Sequence, residues 1–182
     1  MTMYAFIHIE KTAGWSIRHA IQNSVSVRYM PHAPITTNIA REFTTVAVLR
    51  DPVDRFISWF KWIHRHHSLL DDVQSLLEQN LLFCLDRFRR CSDYYFLEHD
   101  PDIILHFDNI QTDWRHFIES YNIVDADTHL TRKHVSLEMD FYLTKTQLKI
   151  IQQALCDDIN NYYGEVRVDN IKKNHNKWLQ RS

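Results

Sequence analysis

Phe6-Ile7-His8-Ile9-Glu10-Lys11-Thr12-Ala13-Gly14-Trp15-Ser16 is the stretch on which the reading of this chain turns. An apolar run ends in a short turn that carries a lysine, a glycine and two hydroxyls, and an amphipathic stretch begins at once. The pattern predicts a strand, a loop and a helix. Such a junction is an anion cradle: backbone N–H groups and the positive end of a helix dipole converge on a phosphate or sulfate, and the lysine adds a full charge. The whole chain has 2 glycines, so the one placed in this turn reads as required. The turn is not a Walker A loop, because Lys11 precedes Gly14 and no Gly-Lys pair follows an upstream glycine. Binding of ATP with magnesium in that manner is disfavoured.

Outward from this turn, strands and helices alternate. Met3–Ile9 reads as a buried first strand, and Trp15–Asn23 as a helix with Ile17, Ala20 and Ile21 on one face. Val25–Met30 reads as a second strand, ended by Pro31 and Pro34. Thr44–Leu49 is a β-branched run suited to a buried parallel strand. Asp51 then offers an N-cap, with Pro52 at the first helical position and Asp54 in the first turn. Val53, Phe56, Ile57 and Phe60 form that helix's apolar face. Helical pattern continues over Leu69–Phe88, a further strand is expected over Asp102–Phe107, and a helix over Thr112–Tyr121. Thr144 and Gln147 form a capping box before the stripe Leu148, Ile151, Leu155 and Ile159, and Gly164 is placed to end that helix. The tail after Val168 is basic, with Trp178 as its anchor. The expectation is an α/β protein with a mainly parallel sheet and ligands at the carboxyl ends of its strands.

The bulk properties narrow the class. A length of 182 residues fits a single domain over 1–182, and 45% hydrophobic with 24% charged residues fits a globular protein. The net charge of −2 gives no general attraction to nucleic acid or to an acidic membrane, so an anion site must be local. Cys84, Cys91 and Cys156 have neither metal-ligand nor redox spacing, and an odd number of thiols fits a reducing compartment. Met3–Ile9 is too short for a signal peptide, and no run approaches the ~20 apolar residues of a membrane span. These readings predict a cytoplasmic, soluble protein.

A second segment, Val48-Leu49-Arg50-Asp51-Pro52-Val53-Asp54-Arg55-Phe56-Ile57-Ser58, puts Arg50 where a strand ends and Ser58 about two turns into the next helix. An arginine fork suits a pair of phosphate oxygens, and a nearby hydroxyl adds a bond. Arg55 is the rival basic residue, and pairing of Arg50 with Asp51 or Asp54 is the structural alternative. Together the two segments resemble the cofactor signatures of sulfotransferases that use 3′-phosphoadenosine-5′-phosphosulfate (PAPS), the carbohydrate and heparan sulfate enzymes in particular. The resemblance is strong over the first third of the chain and fainter through Asp102–Asn109 and His129–Tyr163.

This resemblance implies a P-loop NTPase-like central parallel sheet flanked by helices. It assigns Lys11, Thr12, Ala13, Gly14, Trp15 and Ser16 to the 5′-phosphosulfate, and Arg50 and Ser58 to the 3′-phosphate. Arg132 and Lys133 match a third cofactor segment loosely. Glu10 stands where that family usually has proline, and Trp15 where it usually has a hydroxyl residue. Trp15 keeps open a binding module without transfer activity, and a nucleotide or small-molecule kinase is the rival enzyme class.

The implied chemistry is in-line sulfuryl transfer to an acceptor hydroxyl. Lys11 stabilises charge growing on the bridging oxygen, and lysine with amides carries that charge without a metal. A histidine is the best general base, and His32 in Met30-Pro31-His32-Ala33-Pro34 is the first candidate, because it follows the second strand. In some of the resembling enzymes a histidine in a similar His-Ala segment is the base. Glu10 is the second candidate, and His8 reads as a core histidine. His64, His66 and His67 lack a completing carboxylate and read as a helix end. Arg87, Arg89 and Arg90 read as a solvated face, and Trp59 with Trp62 as core. The acceptor is expected to be a carbohydrate or small metabolite; nucleic acid and membrane are not expected partners, and the oligomeric state is open.

Overall fold

The computed structural model describes residues 2–67, 73–131, 142–162 and 178–179, with the side chains of residues 64–67 and 73–79 not described. Two compact units emerge, Met1–Arg50 with Asp93–Val135, and Asp51–Ser92 with Ser136–Ser182.

The first unit is built on four strands, β1 (Tyr4–His8), β2 (Val27–Pro31), β3 (Thr44–Leu49) and β4 (Ile103–His106). They lie in the order β2-β1-β3-β4, and every neighbouring pair is parallel. Every residue of β1 is buried, which is why its sequence is a continuous apolar run rather than an alternating one. Helices α1 (Gly14–Ala20) and α5 (Ile110–Ser120) belong to this unit. A short α2 (Thr37–Glu42), capped by Thr36, precedes β3; its polar sequence gave no amphipathic signal. Ile17 and Ala20 of α1, Ile21 just past its end, and Trp114, Phe117 and Ile118 of α5 pack with Tyr4, Phe6, Val46, Val48 and Leu105 on one face of the sheet. Asp125 ties down the entry to β2, accepting from Val25 N–H at 2.7 Å and from the Ser24 hydroxyl at 2.8 Å.

The strand order decides where a ligand goes. From β1 the chain crosses to β2 on one side, while β3 lies on the other, so the segments leaving β1 and β3 diverge at their carboxyl ends. In open parallel sheets this switch point forms the binding crevice. The loop holding Lys11 leaves β1, and Arg50 follows β3 directly.

The second unit contains α3 (Pro52–His67), α4 (Val73–Arg87) and α6 (Lys145–Ala154). The Asp51 carboxylate accepts from Asp54 N–H at 2.9 Å, the cap the sequence predicts for α3. The capping box of Thr144 and Gln147 is present at the start of α6. Leu148, Ile151, Leu155 and Ile159 are buried together with Val53, Phe56, Ile57, Trp59 and Phe60. Of the paired tryptophans, Trp59 is core, whereas Trp62 is exposed. Trp178 packs on this cluster and donates its indole N–H to Asp54 at 2.7 Å. Gly164 and the basic tail around Trp178 lie outside the described residues.

The α/β expectation therefore holds: a central parallel sheet flanked by helices. The predicted elements are present, most with shifted ends; residues 69–72 of the expected Leu69–Phe88 helix lie outside the described residues. The first helix stops at Ala20 rather than Asn23, and Pro31 is the last residue of β2 rather than its terminator. Pro31 is accommodated because β2 is an edge strand with a neighbour on one side alone.

Candidate anion-binding site

The loop after β1 reverses its handedness residue by residue. Lys11 (φ 65°) and Ala13 (φ 64°) are left-handed, Thr12 between them is not, and Gly14 begins the helix. Non-glycine residues adopt the left-handed region at a cost, and two such residues in one short loop mark a locally strained segment. Alternation of this kind turns successive N–H groups to the same side and forms a nest for an anion. The Thr12 hydroxyl is turned inward, donating to Ile9 O at 2.7 Å, and this bond closes the loop on itself. The first helical bonds of α1 are donated by Ser16 and Ile17 to Ala13 O at 3.0 and 3.2 Å. The amides ahead of them are not consumed by the helix.

Gly14 is required for a different reason from the loop's handedness. A Cβ there would fall 1.7 Å from Cδ2 of His8 and 2.0 Å from its Nε2. The start of α1 thus passes directly over the imidazole that ends β1, and only a residue without a side chain fits.

Two cations meet at the switch point. Arg50 donates from Nη1 to Lys11 O at 3.1 Å, and its guanidinium lies 4.4 Å from the centre of the Phe107 ring. Phe107 is the first residue past β4, so three strand ends contribute to the placement of one side chain. Lys11 is half-buried, and its pKa is lowered, first by burial and then by Arg50; Glu10 acts in the opposite direction. Glu10 also donates its N–H to the Tyr95 hydroxyl at 3.4 Å. A half-buried lysine beside an arginine is an electrostatic arrangement that suits an anion.

His32 follows β2 on the same edge. It is left-handed (φ 51°), donates its N–H to His8 O at 3.2 Å, and accepts from the Tyr94 hydroxyl at its own carbonyl at 3.1 Å. Its Nδ1 is buried with no hydrogen-bond partner. Its ring lies 4.3 Å, centroid to centroid, from that of His8. His8 is buried, as the sequence predicts, and its Nδ1 is bonded to the Tyr29 hydroxyl. Its pKa is lowered to about 3, by burial first and then by His32, Arg18 and Lys11, so His8 is neutral. Trp15 is exposed beside the loop, with the Arg18 guanidinium 4.9 Å from its ring centre.

The structure thus brings Lys11, Thr12, Ala13, Gly14, Trp15, Ser16, His32 and Arg50 to one edge of the first unit. Ser58 is a buried residue of α3 in the second unit. Arg132 and Lys133 lie outside the described residues. Arg55, the rival basic residue, is buried in the second unit. Arg55 is 1% exposed, its Nη2 lies 3.6 Å from Asp158, and it donates to Arg89 O at 2.7 Å. Among the described residues no group of three or more His, Cys, Asp or Glu is arranged for a metal, and no helix is long and apolar enough to cross a membrane.

Sequence reading missed Phe107, Tyr29 and Tyr94. Phe107 was findable as the last residue of a predicted strand, at its carboxyl end. Tyr29 was findable from strand alternation, which puts it with Val27 on the face shared with Phe6. Tyr94 carries no local signal, since it reaches His32 from 62 residues away in sequence.

The chain has no significant match among curated proteins or among solved structures. A family model described as the sulfotransferase family matches residues 7–175, from inside β1 almost to the end of the sequence, and the chain therefore belongs to the sulfotransferase family.

Proposed function

We propose that this sulfotransferase takes its sulfuryl group from PAPS and delivers it to the hydroxyl of a carbohydrate or small metabolite. The observation that carries this reading is the meeting of half-buried Lys11 with Arg50 under a loop of alternating handedness, at the switch point of the sheet. A crevice that gathers two cations and a nest of amides fits a ligand with separated anionic groups. When bound, the donor supplies an activated sulfuryl group, and its transfer leaves 3′-phosphoadenosine 5′-phosphate.

In this reading the amides from Thr12 to Trp15 hold the 5′ side, with Ser16, whose own N–H bonds Ala13 O, assigned to it on motif alone. Lys11 stands at the bridging oxygen, where negative charge grows, and it stabilises that charge more in the transition state than in the ground state. Its lowered pKa reflects a cation without full hydration, so its interaction with an incoming anion is stronger than that of an exposed lysine. Arg50 reads the 3′-phosphate, with Ser58, Arg132 and Lys133 assigned to the donor on motif alone. His32 takes the acceptor's proton, and its buried, partnerless Nδ1 supports the choice over Glu10. Three free cysteines fit a reducing, cytoplasmic setting.

The test is transfer of labelled sulfuryl from PAPS to a panel of sugars and hydroxylated metabolites. The expected result is transfer without added metal, with Lys11→Ala slower by about 100-fold or more. Full activity of Lys11→Ala would overturn the assignment, and PAPS binding without turnover on any acceptor would identify a binding module instead.

A further inference from the structure

Gly14, His8, His32 and Tyr29 form a chain of contacts that the proposed transfer chemistry does not by itself explain. The His8 ring fills the space over Gly14, so it touches the anion loop. Its other neighbour is the His32 ring, 4.3 Å away, and its carbonyl accepts the His32 N–H at 3.2 Å. One imidazole therefore spaces the loop from the candidate base. The Tyr29 hydroxyl meets Nδ1 of that imidazole. Tyr29 is itself fixed by its place in β2, opposite Phe6 in register and stacked on the Phe6 ring at 6.2 Å.

Burial pushes the Tyr29 phenol up to about 12, so it keeps a proton that it can donate to His8 Nδ1. With Nδ1 as the acceptor, the single ring proton sits on Nε2, the atom that faces Gly14. The charged groups acting on His8 are His32, Arg18 and Lys11, and all three oppose its protonation. A neutral His8 leaves His32 free to accept a proton without a cation stacked against it.

We propose that Tyr29 and His8 are positioning residues of the transfer site: the Tyr29 hydroxyl locks the His8 imidazole in its Nε2–H form, and His8 sets the distance between the anion loop and the His32 imidazole. This rests on the reading of His32 as base. The substitution that isolates it is Tyr29→Phe, which keeps the ring and its stacking on Phe6 and removes the hydroxyl alone.

The experiment follows the imidazole nitrogens of His8 and His32 by NMR against pH, in wild type, Tyr29→Phe and His32→Ala, alongside PAPS turnover. In wild type His8 is expected to be the Nε2–H tautomer and not to titrate near neutral pH. In Tyr29→Phe, His8 is expected to sample both tautomers, the His32 ring signals to move, and kcat to fall about 10-fold with its pH profile displaced and the donor KM unchanged. Wild-type behaviour of both imidazoles and of the pH profile in Tyr29→Phe overturns the proposal. A Tyr29→Phe chain that fails to fold leaves wild type to decide: a protonated Nδ1 on His8 overturns the lock. Full turnover in His32→Ala overturns the base reading and with it the purpose assigned to the pair, even where the NMR lock is seen. Loss of turnover in His32→Ala with an unchanged Tyr29→Phe overturns the positioning role alone.

Discussion

Arg50 and Arg55 stand five positions apart in one motif and sit in opposite surroundings. Arg55 is sealed in the second unit. Its partner Asp158 also accepts from the N–H groups of Cys91 and Ser92, both at 2.8 Å, and from the Ser92 hydroxyl at 2.7 Å. The Phe88 ring lies 4.3 Å from its guanidinium. That is a buried opposite-charge pair whose carboxylate is fully engaged while Arg55 Nη1 has no hydrogen-bond partner, and it holds the segment before the chain leaves the unit. Arg50 sits in the first unit beside another cation, Lys11, and lowers that lysine's pKa. Two like charges brought together cost folding free energy, which an anion bound as proposed would recover. The difference teaches that the sign of a cation's neighbours, more than its motif position, separates a scaffold arginine from one proposed for a site.

Each half of this comparison is open to being broken. Removing one member of a buried ion pair costs ~3–5 kcal/mol, so Arg55→Ala is expected to lower the unfolding midpoint sharply, or to prevent folding. A mild loss in chemical denaturation would mean that Arg55 is not the scaffold arginine. Arg50→Ala is expected to do the reverse: little change in stability, about 10- to 100-fold weaker binding of 3′-phosphoadenosine 5′-phosphate, and a rise in the Lys11 pKa. Equal binding by the variant would remove Arg50 from the site.

Smaller effects sharpen the account of the loop. Gly14→Ala forces the His8 ring to move, with an expected loss of ~1–3 kcal/mol, and combining it with His8→Ala is expected to recover part of that loss. Strict additivity in this double-mutant cycle would mean the two residues do not share the space. His8 also sets a pH dependence. Its folded pKa of about 3 lies below the ordinary 6.5, so the folded state binds its proton more weakly than the unfolded state. Its contribution is complete above pH 6.5 and is lost as pH falls from there toward 3, by at most ~1.4 kcal/mol per pH unit. His8→Gln is expected to flatten that slope in denaturation curves between pH 6.5 and 5; an unchanged slope would assign it to other groups.

Much of the fold was legible because its signals are local. β3 was read to its last residue, since a β-branched run bounded by polar residues has one reading. The Asp51 cap and the Thr144–Gln147 box were read directly, because each spans a single turn. α2 escaped because it buries none of its residues and so shows no periodicity. For the site, the sequence supplied Lys11, Gly14, Arg50 and His32 as candidates, but not why they belong together. Gly14 was read as serving the loop, whereas its lack of a side chain makes room for His8. The Arg55–Asp158 pair spans more than a hundred residues, and neither residue's neighbours in sequence point to the other. Pairing across such distances is decided by the P-loop-like fold of the sulfotransferase family as a whole.

Calorimetric titration of the wild-type protein with 3′-phosphoadenosine 5′-phosphate, AMP and ATP, each with and without magnesium, tests the central claim most directly. The account predicts binding of 3′-phosphoadenosine 5′-phosphate that is independent of magnesium and at least about 10-fold tighter than that of AMP, in keeping with one charge-assisted phosphate contact. Equal affinity for AMP, or binding confined to ATP with magnesium, would contradict it.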